Sequence, residues 1–296
     1  MRRALLVIAI VGCGRREPTS TDAAPSTATS TATSTSTSTS TSTATATSTS
    51  TSIANPASTA TAIVSGTATA SAISRHCPPG MSLVDAFCID TWEAHVALFD
   101  PRTNREWPHS PYAVVEATNV RAKSAPNVVP QAFVSQVAAR RACKNANKRL
   151  CRREEFERAC RGPDDANLYP YGGTEKIRAA CNEGKGSSIP RLFGTDVSKW
   201  TYDDFNDPRL NQWIGGLAKT GAFAKCVSPY GVYDLVGNLH EWGDDAPDER
   251  GRARFRGGFY GDAEVNGHGC LYVTKAHEPT YHDYSTGFRC CADASE

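Results

Sequence analysis

The sequence predicts an α+β domain over residues 76–296, rich in loops and stapled by disulfides. Three observations predict it. Helical apolar spacing occurs in only two short stretches, one through Val134, Val137, Ala138 and Ala142, the other through Phe156, Ala159 and Cys160. After Asn182 the chain is dense in Gly, Asp, Asn and Pro with few regular apolar periods, which excludes a doubly wound sheet or a helical bundle. Finally, the chain has 11 cysteines; setting Cys13 apart leaves ten, an even number, all within residues 77–291.

The chain opens with a leader. Arg2 and Arg3 form a basic start, residues 4–11 an apolar run too short to span a bilayer as a helix, and Gly12-Cys13 follows. A small residue before a lone cysteine here resembles a lipoprotein box, with Cys13 acylated. The alternative is ordinary cleavage with Cys13 unmodified. Several acyl chains on one cysteine give stable membrane anchoring. Gly14-Arg15 does not resemble an inner-membrane retention signal, so the expected location is the bacterial outer membrane or cell surface. Residues 14–75 read as a tether. From residue 23 to 74 they are mainly Ser, Thr and Ala with scattered Pro and no charge, and no apolar face could be buried. A flexible chain of about fifty residues spans on the order of 40 Å, enough to hold a domain clear of a lipid surface.

Charge excludes one class of partner. Lys and Arg total 32 against 31 Asp and Glu, a net charge of +1. The basic clusters at residues 144–149 and 152–153 adjoin Glu154, Glu155 and Glu157, as on a solvated helix face, so no nucleic-acid role is expected.

Within the domain, apolar residues cluster over 81–93 as a strand, and Cys77 and Cys88 flank a hairpin-like segment they could close locally. A helix follows with Val134, Val137, Ala138 and Ala142 as its buried stripe. A second runs from about 152 to 161, with Phe156, Ala159 and Cys160 inward and Gly162-Pro163 as its stop. Cysteine connectivity does not follow from the residues alone. The spacings do not form a zinc site, since there is no C-x-x-C and no His pair at ligand spacing.

The most informative stretch is Tyr230-Gly231-Val232-Tyr233-Asp234-Leu235-Val236-Gly237-Asn238-Leu239-His240-Glu241-Trp242. Arg256-Gly257-Gly258 comes next, then Gly287-Phe288-Arg289-Cys290. In order and spacing these resemble the motifs of the formylglycine-generating enzymes, or sulfatase-modifying factors. Phe87-Cys88-Ile89-Asp90, Lys148-Arg149-Leu150, Tyr169-Pro170-Tyr171-Gly172 and Cys181-Asn182 extend the resemblance over the whole domain. It implies a formylglycine-generating-enzyme fold related to C-type lectins, and a bridge between Cys160 and Cys290. It also implies structural Ca²⁺ bound by carboxylates of Asp234 and Glu241 and main-chain carbonyls of Gly237 and Leu239. Such a donor set suits a hard cation. The alternative is that Asp234 caps a turn and Glu241 pairs with an Arg. A second calcium site would begin at Asn182, with its carboxylate among Asp203, Asp204 and Asp207.

The family's chemistry needs two cysteines that hold Cu(I), a soft ion preferring thiolates. The first position falls on Cys270, the second on Lys275, whose ammonium has no lone pair for copper. Copper-dependent formylglycine synthesis is therefore not expected. Cys270 is expected in a disulfide, with Cys226 or Cys291 as partner, or else as a thiol activated by Lys275 and His277. His268, His277 and His282 read as surface histidines. A surface lipoprotein whose domain serves binding or structure is the main expectation, its ligand a protein or small molecule of the envelope. An oxidoreductase acting on a protein cysteine or another exported substrate through Cys270 is the alternative.

Overall fold

The computed structural model describes residues 75–295; the segments expected to be a leader and a tether, with Cys13, lie outside the described residues. The expected single strand at 81–93 is instead a hairpin of β1 (Met81–Val84) and β2 (Phe87–Asp90). Asp85 between them takes a φ of 49°, a left-handed conformation that an Asp tolerates better than most residues, and so turns the chain. β3 (Ala94–Phe99) pairs with β4 (Glu106–Pro108) on one side and β5 (Val120–Ser124) on the other, both antiparallel.

Helix α1 (Gln136–Asn145) starts at Ser135, whose hydroxyl accepts from the amide of Ala138. Its inward face differs from the expected one. Gln136, Ala138, Ala139, Ala142 and Cys143 are buried, whereas Val137 is 42% exposed. The Gln136 amide donates to the carbonyl of Gly243 at 2.7 Å, and this buried polar anchor turns the next residue outward. After β6 (Arg149–Leu150) comes α2 (Arg153–Arg161). Its first turn is held by Glu155, whose carboxylate accepts from the Arg152 amide at 2.8 Å and pairs with Arg149. Phe156, Ala159 and Cys160 point inward as expected, and the helix ends at Gly162, φ 74°.

The middle third is loop, with two short helices, α3 (Ile189–Phe193) and α4 (Tyr202–Phe205). β7 (His240–Trp242), β8 (Ala253–Arg256), β9 (Val273–His277) and β10 (Thr286–Gly287) form a sheet in the order β10-β7-β8-β9, and β10 runs parallel to β7. The last strand, β11 (Cys290–Asp293), lies between β2 and β6, giving a sheet in the order β1-β2-β11-β6. Among the described residues no helix is long and apolar enough to cross a membrane.

All ten cysteines of the domain are paired: Cys77–Cys88, Cys143–Cys290, Cys151–Cys291, Cys160–Cys270 and Cys181–Cys226. The bridge between Cys77 and Cys88 closes the hairpin locally, as expected. The expected bridge between Cys160 and Cys290 does not form. Adjacent strand residues point to opposite faces, so Cys290 of β11 reaches α1 at Cys143 while Cys291 reaches Cys151. Cys160, on α2, faces instead the short 3-10 turn at Gly269–Leu271, where Cys270 meets it. The expected Cys270 partners, Cys226 and Cys291, are both engaged elsewhere.

Candidate functional site

The residues of the 230–242 segment converge on a buried polar centre. Asp234 and Asn238 take φ of 59° and 58° and Gly237 takes 80°, so the chain coils tightly around its own carbonyls. Gly237 bridges the backbone of Asn182, and a Cβ there would press into the Asn182 carbonyl. The Asn238 amide donates to Glu93 and to the Ala218 carbonyl. Its oxygen accepts from the Asn182 side chain at 2.8 Å and the Ala218 amide at 2.9 Å. Glu93 also accepts from the Leu239 amide at 3.0 Å. Asp234 accepts at 2.7 Å from the amide of Gly221, 13 positions earlier, and so ties two loops together rather than capping a turn of its own.

Glu241, on β7, meets Arg289 from the loop before β11. Nε donates to one carboxylate oxygen at 2.6 Å and Nη2 to the other at 2.7 Å. Arg289 also donates to the carbonyls of Asp90 and Tyr233, and is 1% exposed. The pairing of Glu241 with an Arg is thus present. Burial works against the charge of Arg289, but Glu241 and then Glu93 and Asp234 hold it protonated.

Arg289 does not balance the centre. Burial, then the charges of Asp234 and Glu241, push the Glu93 carboxyl well above the usual carboxylate range. Burial raises Asp234 to about 6 despite its bond from Gly221, and raises Glu241 despite Arg289. Burial likewise raises Asp90, which pairs with Lys148 at 2.6 Å. Three buried carboxylates therefore share one buried guanidinium. Such an excess is relieved by protons or by a cation.

The chemistry of the donor set fits a hard divalent ion: oxygen donors only, and uncompensated negative charge. Among the described residues no group of three or more His, Cys, Asp and Glu side chains converges at metal-binding range. Calcium held here would depend on the main-chain carbonyls of Gly237 and Leu239 beside the Asp234 and Glu241 carboxylates. Asn182 is 2% exposed, and its Oδ1 is a buried acceptor with no donor, as a ligand oxygen would be. Two of its three expected carboxylate partners are engaged elsewhere. Asp204 caps the turn at Thr201, and Asp207 caps Arg209 and pairs with its guanidinium at 2.5 Å.

Cys270 is 1% exposed and bonded to Cys160, so it presents no thiol. The disulfide expected of Cys270 is thus present, though with a different partner, and the thiol weighed beside it is not: a sulfur in a disulfide has no thiolate to bind Cu(I) or attack a substrate. Lys275 is exposed on β9. The three histidines do not assemble. His268 is exposed, His282 shares a bond of 2.7 Å with Asn206, and His277 is not the surface residue expected but stacks on Tyr281 at 3.7 Å. The sequence gives no role to two buried residues: Glu93 of the opening motif, which belongs to the centre, and His240, which packs among aromatic rings. The His240 ring packs among Phe255, Phe259 and Tyr272, and burial takes its pKa down to about 3. Glu93, in the short link between β2 and β3, carries no signal of its own; only the fold joins it to Asn238.

This coil sits in a mixed α and β domain closed by five disulfides. The model of the sulfatase-modifying factor enzyme 1-like domain matches residues 46–294, and the chain belongs to that family. Among solved structures the chain is similar to PvdO from Pseudomonas aeruginosa, at 17% identity and a TM-score of 0.43, over 70% of this chain and 80% of that one. It is also similar to CarF, at 17% identity and a TM-score of 0.36, over 70% of this chain and 86% of that one. The C-type lectin-like Major Tropism Determinant I1 variant matches at 14% identity and a TM-score of 0.41, over 74% of this chain and 54% of that one. No curated protein matches the chain.

Proposed function

We propose that this family member is a binding or structural module that does not carry out copper-dependent formylglycine synthesis. One observation carries the reading: Cys270 is joined to Cys160, and Lys275 stands where a second cysteine is needed. The alternative, an oxidoreductase working through Cys270, requires that bridge to open. Calcium at Asp234, Gly237, Leu239 and Glu241 belongs to the same proposal, as the ion that offsets the buried carboxylates and holds the coil in shape. So does export on a lipid anchor at Cys13. Five disulfides support an oxidising compartment such as the envelope.

The experiment is a Cu(I) titration of the full chain, with mass spectrometry of a Cys-x-Pro-x-Arg peptide incubated with it under air. Neither tight copper uptake nor aldehyde formation is expected. One tight Cu(I) per chain that disappears in Cys270→Ser would overturn the reading. For the anchor, palmitate labelling of the wild type that vanishes in Cys13→Ser is expected, and an unlabelled wild type refutes it.

A further inference from the structure

The loop between α2 and α3 encloses a cavity that neither the carboxylate centre nor Cys270 explains. It measures about 420 Å³, within the range of small-molecule sites, and its lining includes Lys176, Arg178, Cys181, Glu183, Lys185 and Phe223. Three cations thus face one carboxylate. Lys176 lies 2.5 Å from Glu183 and 3.3 Å from Glu264, so it is matched within the protein. Arg178 and Lys185 form no ion pair among the described residues. Lys185 Nζ instead sits over the Phe223 ring, 5.7 Å from its centroid, which places a cation beside a flat apolar surface.

The walls are fixed before any ligand arrives. The Cys181–Cys226 bridge ties one wall to the turn that carries Phe223, since the Cys226 amide donates to the Phe223 carbonyl at 2.8 Å. The other wall is held by the amides of Lys185 and Gly186, bonded to the carbonyls of Tyr260 and Gly261 at 2.9 and 3.1 Å. Pre-organised walls reduce the ordering cost of binding.

We propose that this cavity binds an anionic ligand with a flat aromatic body, an aryl phosphate or aryl carboxylate. The oxyanion is taken by Arg178 and Lys185, the former able to meet two oxygens at once, and the ring lies against Phe223. The proposal deepens the binding-module reading and rests on it for the absence of a reaction at the site.

The test is calorimetric titration of the full chain with phenyl phosphate, benzoate and inorganic phosphate. At least one aryl anion should bind saturably, about tenfold or more tighter than inorganic phosphate. The double variant Arg178→Gln/Lys185→Gln should weaken that binding at least about tenfold with an unchanged melting temperature, because both side chains are exposed. Phe223→Ala should remove the advantage of the aryl anion over phosphate. Whether phenyl phosphate or benzoate binds tighter identifies the oxyanion. No saturable binding of any of the three up to about 10 mM, or binding unchanged in the double variant, overturns the proposal. Copper uptake measured on the same sample separates the two readings. Copper binding alongside aryl-anion binding breaks only the non-catalytic reading, while neither binding breaks only the anion site.

Discussion

Replacing Asp234 by Asn should stabilise the calcium-free protein at neutral pH, the reverse of what removing a buried hydrogen-bonded residue usually does. Asp234 has its folded pKa raised from 3.8 to about 6, burial being the main cause. An acid whose folded pKa exceeds its unfolded value favours folding while protonated and loses that contribution as pH rises through the folded value. The shift of about two units corresponds to roughly 3 kcal/mol of cost above pH 6, at about 1.4 kcal/mol per unit. Asparagine keeps the acceptor for the Gly221 amide and tolerates the positive φ of 59°, but carries no charge. In EDTA the variant should match the wild type near pH 4 and exceed it by up to roughly 3 kcal/mol at pH 7.5, the change falling between about pH 4 and 6. Urea unfolding of both proteins at four pH values reads this directly. His240, whose lowered pKa of about 3 makes stability rise with pH until the unfolded histidine deprotonates, is common to both proteins and cancels in the difference. A variant less stable than the wild type at pH 7.5, or a difference flat with pH, would refute the account of the buried charge.

Other expectations follow from the same structure. Saturating Ca²⁺ should raise the wild-type melting temperature relative to EDTA, and more at pH 7.5 than at pH 5; an equal response at both pH values speaks against an ion on these carboxylates. Glu241→Gln should cost about 3–5 kcal/mol in urea unfolding, because it breaks the two-point ion pair on the Arg289 guanidinium, which Glu93 and Asp234 do not hydrogen-bond. Cys160→Ala/Cys270→Ala should lose about 2–5 kcal/mol, while a mass map of the double variant still shows the other four bridges. Val137→Lys should change stability by no more than about 0.5 kcal/mol, since that side of α1 faces solvent.

The two helices, the family and the terminal motifs were legible because local patterns and fixed spacings carry them. The stop at Gly162 and the inward face of Phe156, Ala159 and Cys160 need nothing beyond the helix itself. The phase of α1 was not legible, since it depends on Gln136 finding a carbonyl 107 positions away, at Gly243. Disulfide partners escaped for the same reason. Which of Cys290 and Cys291 faces α1 is decided by the register of β11 against β6, and that register pairs Cys290 with Leu150. The carboxylate centre was half visible: Asp234 and Glu241 belong to one motif, but Glu93 and Arg289 join them from the two ends of the domain.

The position of β11 has a consequence for how the protein is made. The strand that fills the gap between β2 and β6 is the last of the domain's strands to be synthesised, and Arg289 immediately precedes it. Until those residues leave the ribosome, the first hairpin has no neighbour on its inner edge, and Glu241 no guanidinium. The bridges Cys143–Cys290 and Cys151–Cys291 span 147 and 140 residues, so their first cysteines must wait as thiols for almost the whole domain to emerge. A chain shortened by its final eight residues would lose the strand, the ion pair and both bridges in one cut, and an unpaired sheet edge would be left for other chains to join.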